Sequence, residues 1–181
     1  MLGYFVASIP DIWKLSTVIL IPKKDNLKLP NDFRPIALTS LVMKTLENII
    51  KFFILAVTEY NLDPLQFAYQ SGRGVDDAKL FILNTLYRHL EASLSHARIL
   101  FTDFSSAFNT IQPHILANKL VSYFSQDNHL VLWIIDFLTR LQRVFVNGCF
   151  SELSLTCTGS PQGCVLSPLL YILYIYRRLQ E

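Results

Sequence analysis

Cysteine is scarce in this sequence. There are three, Cys149, Cys157 and Cys164, in 181 residues. The number is odd and no pair stands as Cys-x-x-Cys, so neither a disulfide framework nor a structural zinc site organises the chain. An intracellular, reducing setting fits that usage. Charge of one sign is also nearly absent. The 16 basic and 14 acidic side chains leave a formal +2, too little for a broad electrostatic footprint on nucleic acid. The distribution is less even: residues 1–51 hold seven Lys/Arg against four Asp/Glu, and the remainder is one charge negative. The apolar run from Cys164 to Tyr176 is too short to span a bilayer and contains Pro168. The amino end lacks the positive start of a signal peptide. No internal repeat or low-complexity segment is present. His89 and His96 have no carboxylate or cysteine partner at ligand spacing, which argues against a metal role for either.

What remains is apolar. With 51% hydrophobic and 17% charged residues, the chain can build a core and is not of disordered composition. Its length fits one domain or part of a larger one. One stretch stands out: Ala97-Arg98-Ile99-Leu100-Phe101-Thr102-Asp103-Phe104-Ser105-Ser106-Ala107-Phe108. An apolar run of β-forming residues reaches a single aspartate, then a small polar pair and an aromatic. The expectation is a buried strand that delivers Asp103 to its exit. A carboxylate there can hold a divalent cation, because Mg²⁺ takes hard oxygen ligands and only one or two from protein. It can equally cap the next turn. A second stretch, Thr158 to Leu170, is a Gly/Pro-punctuated loop around Ser160-Pro161-Gln162-Gly163, with Ser167-Pro168 starting an apolar helix.

Around these, the elements read in order. Asp11 to Pro22 is expected as a strand, followed by Lys23, Lys24 and a polar loop. Phe33 to Leu38 returns as a second strand, so Lys23, Lys24 and Arg34 share a hairpin tip. Thr39 to Tyr60 is expected as a helix capped by Thr39 or Ser40. Leu41, Met43, Leu46, Ile49, Ile50, Phe53, Ile54 and Val57 form its apolar face, with Lys44, Glu47 and Lys51 opposite. A glycine-containing loop, Gln66 to Gly74, precedes a helix from Val75 to about Ser95. Asp76 suits its cap, and Leu80, Leu83, Leu86, Tyr87 and Leu90 face inward. Pro113 opens a helix over Ile115, Leu116, Leu120 and Val121. Asp127 or Asn128 caps another through Arg140, packed by residues 130–141, with Asp136 on its polar side. Asn147-Gly148 signals a hairpin.

The two stretches together, in this order, resemble the reverse transcriptase domain of non-LTR retrotransposons of the jockey-like kind. The likeness runs from about Ile12 to Tyr174. It implies an α/β (α+β), helix-rich fold: the fingers and partial palm of a right-hand polymerase, with the palm sheet incomplete. Residues 12–96 would be fingers and fingers–palm junction, and 97–176 partial palm. The implied activity is RNA-directed DNA synthesis on an RNA template with a DNA primer and deoxynucleoside triphosphates. No membrane partner is implied. Nuclear residence would follow from chromosomal insertion by related elements, although no basic localisation run is present.

By the same resemblance, Asp103 is a catalytic carboxylate that holds Mg²⁺, and the Phe104 carbonyl adds a ligand. Lys23, Lys24 and Arg34 meet the triphosphate, Arg through two parallel bonds and Lys as a point charge. Phe108 packs under the sugar and excludes a 2′-hydroxyl, or is a core aromatic. Gln162 and Gly163 lie at the nucleotide. Ser160, Pro161, Gln66, Gly72 and Arg73 lie along the nucleic acid.

The pattern breaks at the carboxyl end. The family continues into a strand–turn–strand bearing Tyr-x-Asp-Asp. Residues Ile175 to Glu181 depart from it, and no Asp-Asp occurs beyond Asp76-Asp77. The expectation is a truncated, catalytically incomplete chain, with one carboxylate where a two-metal clamp needs two sides, an open palm-sheet edge and the rest of the polymerase missing. Two alternatives stand beside it: a non-catalytic nucleic-acid-binding relic, and an unstable translated fragment.

Overall fold

The computed structural model describes residues 8–26, 28–58, 62–91, 95–104, 106–124 and 128–176. Tyr60, Ser105, Asp127, residues 177–181 and any side-chain cap at Asn128 lie outside that description. In chain order the elements are α1 (Asp11–Lys14), β1 (Ser16–Pro22), β2 (Phe33–Leu38), α2 (Leu41–Thr58), α3 (Val75–Leu90), α4 (Pro113–Tyr123), α5 (Asn128–Leu138), β3 (Arg140–Val146), β4 (Cys149–Phe150), β5 (Ser154–Thr156) and α6 (Ser167–Ile175). They fall into two compact units, residues 1–60 with 106–181 and residues 61–105.

In the first unit β1 pairs antiparallel with β2, Thr17 opposite Leu38 and Pro22 opposite Phe33. It pairs in parallel with β3, Ser16 opposite Gln142. The outer edge of β3 is shared by β4 near its end and β5 near its start. Asn147 and Gly148 turn β3 into β4 with φ of 51° and 80°, the left-handed backbone that a tight hairpin requires. The strand expected from Asp11 begins only at Ser16. Asp11–Lys14 is one helical turn, because Trp13 and Leu15 N–H donate back to the Pro10 and Asp11 carbonyls at 2.9 Å. Lys14 fixes that turn by pairing with Asp11 at 3.3 Å and with Asp136 at 2.7 Å.

Ser40 caps α2, its Oγ accepting the Met43 N–H at 3.1 Å, and the helix buries Met43, Glu47, Ile50, Ile54 and Thr58. Glu47 therefore does not stand with Lys44 and Lys51 on a solvent face; it lies within the buried stripe. Leu41, Ile49 and Val57, expected inside, are exposed. The stripe is set by where the Thr158–Leu166 chain lies, and that chain gives a carboxylate hydrogen-bond donors. Helix α5 ends at Leu138 rather than Arg140. Arg140 is taken by the sheet, opposite Thr156, and Leu141 goes with it. Helix α4 packs on α5 and α6, and Leu116, Leu120, Ile134, Leu138, Leu170 and Leu173 fill the space between as fully buried side chains. Each such burial stabilises by about 1.5–3 kcal/mol.

Among the described residues of the second unit none is buried. Helix α3 buries none of its residues. Leu80, Leu83, Tyr87 and Leu90, expected inward, are exposed, and Leu86 is half-buried. Its cap is also different from the expected one. The Asp77 carboxylate accepts the Gly74 N–H at 2.7 Å, whereas Asp76 pairs with Lys79 at 2.9 Å. The acid three residues into the helix is the one that reaches back to the N-cap amide. The largest departure is at 97–103. This segment has no regular secondary structure, and Leu100 and Phe101 are 86% and 81% exposed. β-Forming residues make a strand only where a neighbour completes the ladder, and no described residue does so.

Candidate functional site

The Gly159–Cys164 loop is built from contacts distant in sequence. Gly159 N–H donates to the Ile111 carbonyl at 2.7 Å, and Ser160 N–H donates to the Phe108 carbonyl at 2.9 Å. The turn carrying Phe108 and the loop thus lie side by side. A Cβ on Gly159 would stand 3.0 Å from the Asn109 Cα, so the approach needs glycine. The Phe108 ring also meets Tyr171 of α6, centroids 5.5 Å apart. Beneath the loop runs a buried hydroxyl chain: Ser160 Oγ donates to Ser167 Oγ at 2.7 Å, which donates to the Pro161 carbonyl at 2.6 Å. Ser160 and Pro161 are buried; Gln162 is half-buried and Gly163 exposed. The outward part of the loop is therefore Gln162-Gly163.

That part is fastened to β2. Ala37 N–H donates to the Gln162 carbonyl at 2.7 Å. Gly163, with φ +104°, sits so close that a Cβ would be 3.1 Å from the Ala37 oxygen and 3.2 Å from Ile36 Cγ2. The same strand carries Arg34, which is exposed and paired with no described residue. The hairpin lysines are engaged. Lys24 pairs with Asp32 at 2.7 Å, and Lys23 Nζ donates to the Asn31 carbonyl at 2.9 Å. The Lys24 hydrogen bond, helped by the Lys28 and Leu29 amides, holds the Asp32 carboxyl below its usual range.

Under the loop lies a charge that the sequence reading placed outside. Glu47 is fully buried. Its Oε2 accepts the Val165 N–H at 2.6 Å and the Leu166 N–H at 3.0 Å. Burial raises its carboxyl above the usual value while those amides oppose the rise. Arg140, also buried, is lowered to about 10 by burial, and the charge of Glu47 resists the fall. Burial, reinforced by the charge of Glu47, pushes the Cys164 thiol up to about 12. Glu47, Arg140 and Ser167 are the site residues that sequence reasoning missed. A signal existed for Glu47: it shares a helical stripe with Met43, Ile50 and Ile54.

The remaining expected residues lie in the second unit. Gln66 Nε2 donates to the Ala68 carbonyl at 3.1 Å, and Gly72 adopts φ +72° in open space. Arg73 donates to the Pro64 carbonyl and stands 5.8 Å from the Phe67 ring centre. Asp103 is exposed on the irregular segment before α4, with Phe104 beside it 67% exposed. Among the described residues no group of three or more His, Cys, Asp or Glu gathers as a metal cluster. One exposed carboxylate with an adjacent carbonyl does fit an ion that completes its shell from water and phosphate. Among the described residues no helix is long and apolar enough to cross a membrane.

Comparison with known proteins agrees over most of the chain. Residues 21–181 match the family model for reverse transcriptase (RNA-dependent DNA polymerase). The chain is 28% identical over 178 residues to the RNA-directed DNA polymerase from mobile element jockey of Drosophila melanogaster, covering 95% of this chain and 18% of that protein. It is 25% identical over 181 residues to the Retrovirus-related Pol polyprotein from type-2 retrotransposable element R2DM of the same organism, covering 96% and 16%. It thus spans under a fifth of these relatives' length. Among solved structures, apo telomerase from Candida tropicalis, truncated from its C-terminal domain, superposes with a TM-score of 0.56 at 14% identity, covering 92% of this chain and 39% of that one. At that identity the likeness is one of fold.

Proposed function

We propose that this chain, which belongs to the reverse transcriptase family, is the fingers and partial-palm segment of a retrotransposon RNA-directed DNA polymerase. Residues 12–96 serve as fingers and junction, and 97–176 as partial palm. The observation that carries this reading is the joining of two motifs some fifty residues apart, through the Ser160 N–H to Phe108 carbonyl bond of 2.9 Å. It sets an aromatic beside a loop whose outward residues are Gln162 and Gly163.

In this reading Gln162-Gly163 seats the new base pair against template and incoming deoxynucleotide. Gly163 admits close backbone approach. Phe108 limits the room beside the sugar, so a 2′-hydroxyl is excluded. Ser160 and Pro161 act by position, their polar atoms being used inside the loop. Arg34 meets the triphosphate, since its guanidinium is open and can bind phosphate in two parallel bonds. Lys23 and Lys24 shape the hairpin and add positive potential. Gln66, Gly72 and Arg73 shape the loop before α3, along the template path. Asp103 and the Phe104 carbonyl would hold Mg²⁺. When bound, the ion supplies positive charge to the phosphates and to the attacking 3′-hydroxyl.

Reverse transcriptases work with divalent metal and bind template and primer. For this chain the test is extension of a DNA primer on an RNA template with Mg²⁺. Extension that Asp103→Asn abolishes supports the reading and shows that residues 1–181 suffice for synthesis. No extension, but primer–template binding weakened by Arg34→Ala and by salt, supports a binding segment that needs further chain for catalysis. Binding indifferent to both salt and Arg34→Ala rejects the reading.

A further inference from the structure

We infer that Glu47 is a positioning residue for the Gln162–Gly163 loop, acting through the Val165 and Leu166 amides. The inference rests on the reading of that loop as the seat of the new base pair. Three observations carry it. First, a single oxygen of Glu47 accepts both amides, at 2.6 and 3.0 Å, and these are the residues that join the loop to α6. Second, the loop has a fixed point on its other flank, the Ala37 N–H to Gln162 carbonyl bond of 2.7 Å. Gln162 and Gly163 are therefore held between β2 on one side and α2 on the other. Third, the arrangement leaves buried polar atoms unmatched. Glu47 Oε1 and Arg140 Nε have no hydrogen-bond partner among the described residues, although both residues are more than nine-tenths buried. A fold that needed only an apolar helix at this position would carry leucine. Keeping a carboxylate here is costly. The return is that two adjacent peptide groups are fixed in direction.

The groups facing Glu47 are Arg140 from β3, Cys164 and the two amides from the loop, and Lys44 from its own helix. Arg140 supplies the opposing charge without direct contact: its Nη1 donates to the Leu138 carbonyl at 2.9 Å. The carboxylate is thus free to spend Oε2 on the backbone.

The test is backbone hydrogen–deuterium exchange on the full chain and on two variants. Glu47→Gln keeps the shape and one oxygen acceptor but removes the charge. Glu47→Met fills the space with no acceptor. Because a charge-assisted bond is roughly twice as strong as a neutral one, the Val165 and Leu166 amides should exchange about tenfold faster in Glu47→Gln. In Glu47→Met they should exchange on the order of a hundredfold faster. Amides in the middle of α4 and α5 should be unchanged. Equal protection of the two amides in wild type and Glu47→Gln overturns the inference. So does a loss spread evenly through α2, α4 and α5, which marks a merely structural role.

A second arm uses labelled RNA template–DNA primer with and without the matching deoxynucleoside triphosphate. Glu47→Gln should weaken the extra retention given by the matching nucleotide and leave binding of the duplex alone unchanged. If wild type shows no such extra retention, the reading of the loop as a nucleotide seat fails, and the exchange data still decide whether Glu47 positions it.

Discussion

The Gly159–Gly163 loop and the Asp103 segment hold the two most distinctive motifs of the chain, and they are constructed in opposite ways. The loop is tied down by residues from far along the sequence: Phe108, Ile111, Ala37 and Glu47 each contribute a hydrogen bond to it or to its exit. The Asp103 segment lies in a unit whose described bonds are short in range, such as Gly74 to Asp77 and Arg73 to Pro64, and its apolar residues are exposed. A motif spelled in sequence is therefore not yet a site. The loop has a fixed geometry because its neighbours are present. Asp103 is a hard oxygen donor, but among the described residues no strand pairs with its segment to fix its direction.

The sharpest way to break the comparison is to truncate one leucine in each region. Leu170→Ala, in the fully buried interior of the first unit, should cost about 2–5 kcal/mol in urea unfolding. Leu80→Ala, 66% exposed on α3, should change stability by less than about 0.5 kcal/mol. Equal losses would mean that α3 is as well packed as α6. Next come two of the positive-φ glycines. Gly163→Ala meets both an unfavourable φ of +104° and backbone at 3.1 Å, and should cost about 1–3 kcal/mol. Gly72→Ala has the unfavourable φ of +72° but open space, so about 1 kcal/mol is expected. Smaller still is the cap of α3. Asp77→Ala should lower helix stability by about 1 kcal/mol, and Asp76→Ala by less than about 0.5 kcal/mol, both readable from α3 amide exchange.

The last contrast is electrostatic. Burial raises the folded-state pKa of Glu47 above its ordinary 4.5. Its contribution is then complete below 4.5 and is lost as pH rises through the folded value, because the unfolded chain releases the proton first. Glu47→Gln should remove that decline. Urea titrations from acid to neutral pH would show the variant gaining on wild type as pH increases. Parallel curves would show that burial leaves this carboxyl unperturbed.

Much of the local structure was legible. Strand β2 spans Phe33–Leu38 as read, Ser40 caps α2, Pro113 and Ser167-Pro168 open their helices, and Asn147-Gly148 turns the hairpin. These are decisions taken within a few residues. What failed depended on distant partners. Glu47 reads as surface by charge and is interior because two loop amides receive it. Residues 97–103 read as a strand by propensity, and no described residue pairs with them. Arg140 reads as the end of a helix and is claimed by β5. The candidate site reads in the sequence only as two motifs; the bond between Phe108 and Ser160 does not, because nothing in either motif names the other.

The parallel pairing of β1 with β3 sets a timetable for the nascent chain. Thr17 and Arg143 stand opposite each other, yet 126 residues separate them. At roughly 5–20 residues per second of synthesis, β1 waits on the order of 6–25 s for that neighbour to emerge. Through that interval the edge of β1 that β3 will cover is bare, a template for any other extended chain near the ribosome. The most exposed moment in the life of this sheet comes during translation, and it ends when the residues of β3 arrive.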